Sequence, residues 1–482
     1  VYFGVDYYPE HWPRERWAKD VQLMKEANMN VVRMAEFAWA VMEPQEGVYD
    51  FRWLDDIIAI CEKAGIDVVL GTPTATPPKW LVNQYPDILM QDSKGHARGF
   101  GSRRHYCYNN PDYRRLSQGI AEKMAARYEG HSAVIAWQID NEFGCHDTAR
   151  CFCSHCHQAF QDWLKEKYTS IGQLNEAWGT VFWSQTYSNW SDVILPSYTV
   201  CDTQAPGQAN HNPGLLLDFY RFSSDSAVSY QQLQIDVLRK HSEKPITHNL
   251  MGHFSQLDYF DLSRDLDFVS WDNYPSNQWG TNSHQSVAMA HALMWGVKNK
   301  NFWVMEQQSG PCGWNAMGRT PRPGQLRLWS YQALAHGAEA LVYFRWRACL
   351  FGTEQYWHGV LDHDGVPRRR YRELAATGAE LHSLSTFFED SVVKAETALL
   401  KSYDSLWSHE FQPHTAGFDY NGTLLQYYQA LSDQHIPCHV TGVHSDLKHY
   451  KLVIAPALNV MDTELQEQLQ AYVEDGGNLV IT

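Results

Sequence analysis

The sequence predicts a (β/α)8 TIM barrel followed by a smaller α/β domain of the flavodoxin-like kind. Three observations carry this expectation. Short apolar runs alternate with helical patterns from the N-terminus to the region of Thr386, as in chains that build a parallel sheet. Eight such alternations fit, the number that closes a barrel. After Thr386-Phe387-Phe388-Glu389-Asp390 the rhythm restarts in a second, shorter series. An open doubly wound sheet is the competing arrangement, and the lack of a glycine-rich phosphate loop after the first strand disfavours it.

The strand candidates run from Phe3 to Tyr7, Asn30 to Ala35, Asp67 to Gly71, Val134 to Ile139, Pro245 to Asn249, Phe268 to Trp271, Phe302 to Met305 and Leu341 to Arg345. Helical stretches between them include Arg16 to Ala27, Leu54 to Ala64, Tyr113 to Tyr128, Asp218 to His241 and Pro323 to His336. In the second series Ala398 to Ser402 and Lys451 to Ala455 read as strands and Glu464 to Glu474 as a helix. Gly476-Gly477 then leads into a last apolar run. The expected division is residues 1–388 for the barrel and 389–482 for the second domain. The sequence starts at Val1 already in strand pattern and stops at Thr482 inside another. Both ends therefore read as trimmed, a further strand is expected past Thr482, and the lack of a leader peptide carries no information.

Composition narrows the function classes. With 482 residues, 44% hydrophobic and 20% charged, the chain is globular and too long for one ordinary core. A formal charge of −16 argues against nucleic-acid binding, which needs basic patches. No apolar run approaches the roughly 20 residues of a membrane helix. Aromatics reach 13%, with 19 Trp; part of that is ordinary core, but sugar-binding clefts also use aromatic faces against apolar C–H surfaces. Of ten cysteines, six (Cys61, Cys145, Cys201, Cys312, Cys349, Cys438) are scattered, the pattern of a reduced, cytoplasmic chain.

Two segments carry the chemistry. Trp137-Gln138-Ile139-Asp140-Asn141-Glu142 follows the apolar run Ala133 to Ala136, and Phe302-Trp303-Val304-Met305-Glu306-Gln307 is the other. Each reads as a buried strand ending in a carboxylate. A lone glutamate there is as readily a surface acid capping the next helix. Two of them, ending the fourth and seventh strands, can face each other across a barrel pocket. Glycoside hydrolysis needs such a pair, about 5–5.5 Å apart for retention and roughly 6.5–9.5 Å for inversion. Asn141, beside Glu142, could hold a substrate hydroxyl. Three long excursions follow strands, Thr72 to about Asp112, Phe143 to about Ser197 and Gln307 to Arg322, all rich in aromatic and polar residues and placed where barrel sites are built.

Cysteines supply a second constellation. Cys151-Phe152-Cys153-Ser154-His155-Cys156, together with the distant Cys107, offers four thiolates, a set suited to tetrahedral zinc. Free thiols, or a mixed site recruiting His155 or His157, are the alternatives. A site with four protein ligands would be structural and would staple two active-site loops.

With these motifs in view, the chain resembles clan A glycoside hydrolases and, more specifically, a family 42 β-galactosidase. The resemblance covers essentially the whole chain. It rests on Gly4 to Trp12, Arg33 to Trp39, Ser102 to Cys107, Trp137 to Glu142 and Ser270 to Pro275. It implies Glu142 as acid/base and Glu306 as nucleophile of a retaining exo-β-galactosidase acting on lactose or galacto-oligosaccharides. It also implies Arg103 on a sugar hydroxyl, with Arg104 competing for that role, Asn141 on the 2-hydroxyl and Tyr274 beside the nucleophile. Trp314 is the implied stacking surface and Trp183 the implied wall near the leaving group. Glu354 and His358 would hold the 4- and 6-hydroxyls. Many members space that pair Glu-x-x-His, a spacing that here falls on Trp357. The resemblance further implies zinc on Cys107, Cys151, Cys153 and Cys156, and a homotrimer assembled through the second domain. An α-L-arabinopyranosidase with the same mechanism and a catalytically silent carbohydrate-binding barrel are the competing functions.

Overall fold

The computed structural model describes residues 1–200 and 210–482, so Cys201 lies outside the described residues. The first unit is a parallel barrel. In chain order its strands are β1 (Tyr2–Asp6), β2 (Val31–Met34), β3 (Asp67–Gly71), β4 (Val134–Gln138), β5 (Ile246–Thr247), β6 (Asn249–Leu250) and β7 (Ser270–Asn273). A small antiparallel hairpin, β8 (Ser276–Asn277) with β9 (Gly280–Thr281), precedes β10 (Phe302–Gln308) and β11 (Ala338–Phe344). The sheet runs β5-β4-β3-β2-β1-β11-β10-β7-β6. Its two ends, β5 and β6, are halves of the one strand expected at Pro245 to Asn249, broken at His248. The first half pairs with β4 and the second with β7, so the sheet comes round on itself. At the break the His248 ring bonds to the β4 side of the barrel. Nδ1 lies 2.8 Å from the Ile139 carbonyl, and Nε2 accepts from the Phe143 N–H at 3.1 Å. Burial pushes this imidazole down to about 3, so it stays neutral.

The barrel interior is filled by alternate strand residues, among them Val31, Val69, Ala136, Met305, Ala340 and Val342, all at most 2% exposed. A larger apolar layer lies between strands and outer helices. It includes Leu54, Ile57, Ile58 and Cys61 from the buried face of the helix Arg52–Ala64, the i, i+3, i+4, i+7 stripe of an amphipathic helix. That helix stops at Gly65, whose φ of +72° is the left-handed closure glycine adopts without strain.

The second unit is a four-stranded parallel sheet in the order β13-β12-β14-β15, with β12 (Thr397–Lys401), β13 (Cys438–Gly442), β14 (Leu452–Ala455) and β15 (Asn478–Ile481). The barrel and the smaller parallel α/β unit are the architecture the sequence predicts. Two differences are informative. The excursion after β4 is not irregular, since it carries helices Ser154–Tyr168 and Ile171–Trp178. The edge strand β13 escaped the sequence reading because Cys438-His439-Val440-Thr441-Gly442 has no apolar run; its pairing with β12 and packing on a barrel helix hold it extended. That packing is close. A Cβ at Gly296, in the helix His284–Lys298, would sit 1.9 Å from the Val440 carbonyl oxygen, so only glycine fits there. Arg221 of the barrel also pairs with Asp404 at 2.5 Å, and the Trp407 indole donates to the Ser255 carbonyl at 2.6 Å. Among the described residues no helix is long and apolar enough to cross a membrane.

Candidate active site

Beyond β4 the chain turns sharply on its way to Glu142. Asp140 and Glu142 have φ of +51° and +46°, a conformation that costs L-residues energy and persists only where surroundings enforce it. Here the surroundings do. The Asp140 N–H donates to Thr72 Oγ1 at 2.9 Å, Asp140 Oδ2 accepts from Thr74 and Tyr106 hydroxyls at 2.6 Å each, and the Glu142 N–H donates to Asn249 Oδ1 at 3.1 Å. Glu306 is re-aimed by a different device. The register of β10 against β7 shifts between Val304 and Glu306, an irregularity of the kind that turns side chains inward beside active sites.

These devices bring the two glutamates together. Glu142 and Glu306 are 8% and 4% exposed, and each has a carboxylate oxygen within 4.8 Å of the other's. Glu306 Oε1 accepts from Arg33 Nη2 at 2.8 Å and from Asn249 Nδ2 at 3.4 Å, and Oε2 accepts from the Tyr274 hydroxyl at 2.5 Å. Burial, and then the Glu306 charge, hold the Tyr274 phenol well above its ordinary range, so it remains a donor. Glu142 Oε2 accepts from Arg103 Nη2 at 3.2 Å and from Asn141 Nδ2 at 3.3 Å. Of the two competing arginines, Arg103 lines the open cleft, with its guanidinium carbon 5.7 Å from the Trp314 ring centre. Arg104 is 1% exposed and spends one amino group on the Asn141 carbonyl at 2.9 Å.

A cleft of about 670 Å³ is lined by Arg103, Trp314 and Glu354; neither glutamate is in its lining, and Arg103, which bonds Glu142, joins it to the pair. Glu354 is ion-paired with Arg345. His358 does not line the cleft; its Nδ1 lies 3.4 Å from Asp362 and its ring meets His363 edge-on. Trp357 turns the other way, into an aromatic cluster with Tyr274 at 4.7 Å and Trp314 at 5.8 Å between ring centres. Trp183 sits on an exposed turn at φ +53°, 73% exposed and packed on Phe182, outside that lining.

Sequence reasoning missed three groups here. Arg33, fully buried on β2, joins Asp6 at 2.7 Å, Glu36 at 3.1 Å and Glu306. Asn249, on β6, bridges Asn141, Asp272 and Glu306 through one amide. Asp272, next to last in β7, adds a third carboxyl within 4.8 Å of both glutamates. Burial, and then the charges of Glu306 and Glu142, push its pKa well up, which favours the neutral acid. A polar residue at or near the carboxyl end of a barrel strand was the available signal, the same one that marks the two glutamates.

The four cysteines converge as well. Sγ atoms of Cys107, Cys151, Cys153 and Cys156 lie within 4.8 Å of one another, all buried. The Cys107–Cys156 and Cys107–Cys153 pairs stand 3.3 and 3.5 Å apart, too far for a disulfide and near the roughly 3.8 Å that four 2.3 Å bonds to a tetrahedral ion imply. Asn109 adds N–H donors at 3.4 Å to Cys107 and Cys156, as the outer partners of thiolate ligands do. His155 and His157 stay out of this group, and His157 bonds the Val193 carbonyl at 2.9 Å. The donor set therefore fits a closed four-sulfur zinc site.

A parallel barrel that brings two buried glutamates together, from its fourth and seventh strand positions, is the arrangement of a glycoside hydrolase. Comparison with known proteins narrows this. The family 42 glycoside hydrolase model, described as β-galactosidase, matches residues 6–384, and a β-galactosidase trimerisation domain model matches 395–482. The chain belongs to glycoside hydrolase family 42. A β-galactosidase of Thermus thermophilus is 44% identical over 98% of this chain and 74% of its own. The polyextremophilic β-galactosidase of the Antarctic haloarchaeon Halorubrum lacusprofundi superposes with a TM-score of 0.95 at 42% identity, covering 100% of this chain and 72% of that one. The β-galactosidase of the psychrophilic Marinomonas ef1 gives 0.94 at 37% identity, over 100% and 75%.

Proposed function

We propose that this enzyme is a retaining, exo-acting β-galactosidase with Glu306 as nucleophile and Glu142 as acid/base. The observation that carries the reading is the convergence of two buried carboxylates from the fourth and seventh strand positions, an oxygen of each within 4.8 Å of the other's, a pairing compatible with the shorter, retaining spacing. Glu306, held by Arg33, attacks the anomeric carbon from the α face while Glu142 protonates the departing oxygen. A water activated by Glu142 then releases galactose with its configuration kept. Arg103 and Asn141 bind hydroxyls, Tyr274 holds the nucleophile, Trp314 stacks on the ring and Glu354 faces the 4- and 6-hydroxyls; the resemblance also assigns His358 to that edge and Trp183 to the leaving-group side, although both stand outside the lining of the cleft. Lactose and galacto-oligosaccharides fit as substrates. Proton NMR of a nitrophenyl β-D-galactoside digest tests this: β-galactose is expected first, and α-galactose as the first product would overturn it. Parallel turnover of the α-L-arabinopyranoside measures the competing specificity, and no turnover of either would leave only the silent binding barrel.

The same reading divides the chain at 388/389 into a catalytic barrel with zinc-holding loops and an oligomerisation domain. Zinc on the four thiolates would staple the loops after β3 and β4. Because four protein ligands leave no open position, its contribution is to stability. Chelation is expected to lower the melting temperature before it changes the anomeric outcome, and elemental analysis finding no zinc in native protein would count against the assignment. Nine described cysteines without a disulfide support a reduced, cytoplasmic setting. The match of 395–482 to a trimerisation domain supports a homotrimer; sedimentation equilibrium should return three times the chain mass, and a monomer at micromolar concentration would refute it.

A further inference from the structure

Arg345 follows directly on β11, at the carboxyl end of the barrel where substrate groups are gathered. It is 4% exposed and lines the cleft. A guanidinium carries five N–H donors, yet among the described residues its one side-chain hydrogen bond is from Nη2 to Glu354. Its Nε is buried with no acceptor among the described residues. Leaving such a donor unmet is costly, and the cost is recovered if an acceptor arrives. The guanidinium is also oriented in advance: its carbon lies 5.0 Å from the Tyr8 ring centre and 4.5 Å from that of Phe344. Nearby His11, also in the cleft, is lowered to about 4 by burial and then by the Arg345 charge, so it brings no competing cation.

We infer that Arg345 is a substrate-binding, specificity-determining residue, donating directly to the sugar hydroxyl whose proton Glu354 accepts. This rests on the galactosidase reading above. A hydroxyl is one donor and two acceptors, so a glutamate alone reads only half of it. The Arg345–Glu354 pair reads both halves, and does so at the C4–C6 edge of the sugar where Glu354 is placed. Sites built around a substrate hydroxyl reject analogues that lack it far more strongly than apolar pockets can.

The test compares nitrophenyl β-D-galactoside with its 6-deoxy analogue, β-D-fucoside, and its 4-epimer, β-D-glucoside. Wild-type turnover of the galactoside is checked first, because its absence would sink the parent reading and not this one. Arg345→Met should lower kcat/KM for the galactoside by ~10- to 100-fold, the scale of a charge-assisted hydrogen bond. It should lower it much less for the analogue whose missing or misplaced hydroxyl is the one read, so that galactoside preference collapses in one arm. Collapse against the fucoside identifies the 6-hydroxyl, and collapse against the glucoside the 4-hydroxyl. In a Glu354→Gln background the Arg345→Met loss should persist. An equal loss on all three substrates, unchanged preference in both arms, or no added loss in the Glu354→Gln background would each overturn the proposal. Arg345→Lys, which keeps the charge without the planar fork, provides the same comparison if Arg345→Met does not fold.

Discussion

Replacing Glu306 by glycine is expected to lower kcat/KM by about 10⁵-fold or more, the scale on which covalent nucleophiles contribute. That corresponds to ~7 kcal/mol of transition-state stabilisation. The surroundings say why the variant should still fold. Arg33 loses one partner but keeps Asp6 at 2.7 Å and Glu36 at 3.1 Å, so no isolated buried cation is left behind. They also say what should rescue it. The vacated space retains donors from Arg33, Asn249 and Tyr274, an arrangement suited to a small anion. Azide bound there would attack from the α face, so with an activated dinitrophenyl β-galactoside the product should be α-galactosyl azide. NMR of the purified azide decides it. A β-azide, or activity close to wild type, would remove Glu306 from the nucleophile role.

How far the sequence reaches can be seen at particular residues. Glu142 and Glu306 were legible because a charge ending an apolar strand is anomalous in one dimension. The four cysteines were legible for a similar reason, three of them being locally spaced. Partnerships were not. Arg33, Asn249 and Asp272 sit on β2, β6 and β7, and only the pairing of β6 and β7 onto β10 and the curl of the barrel make them neighbours of Glu306. Adjacent residues in irregular loops present a sharper limit. Trp357 and His358 point to opposite sides of one turn, the first into the aromatic cluster and the second towards Asp362. Spacing from Glu354 cannot decide between them, because side-chain direction there follows from the Pro311 carbonyl accepting the His358 N–H at 3.0 Å, a contact 47 residues away in the chain (358 − 311).

Changing Glu142 to alanine should separate the two halves of the reaction, because its two roles depend differently on the leaving group. With lactose, departure of the sugar oxygen needs a proton, and kcat/KM should fall by about 10²- to 10⁴-fold, the usual contribution of a positioned acid. A dinitrophenolate leaves without one, so the first step on that substrate should survive. The second step still lacks its base. Glycosyl-enzyme then accumulates, kcat and KM fall together, and a burst of dinitrophenol equal to the enzyme concentration should precede a slow steady state. Donors from Arg103 and Asn141 remain around the emptied position, and Arg103 faces the open cleft, so azide can reach it. Here azide meets the sugar on the β face, already joined to Glu306 on the other, and should yield β-galactosyl azide. Opposite anomers from the two variants are a stronger requirement than loss of activity in either, because a residue that merely supports the fold cannot dictate the face of attack. Two azides of the same configuration would mean that Glu142 and Glu306 do not flank the anomeric carbon.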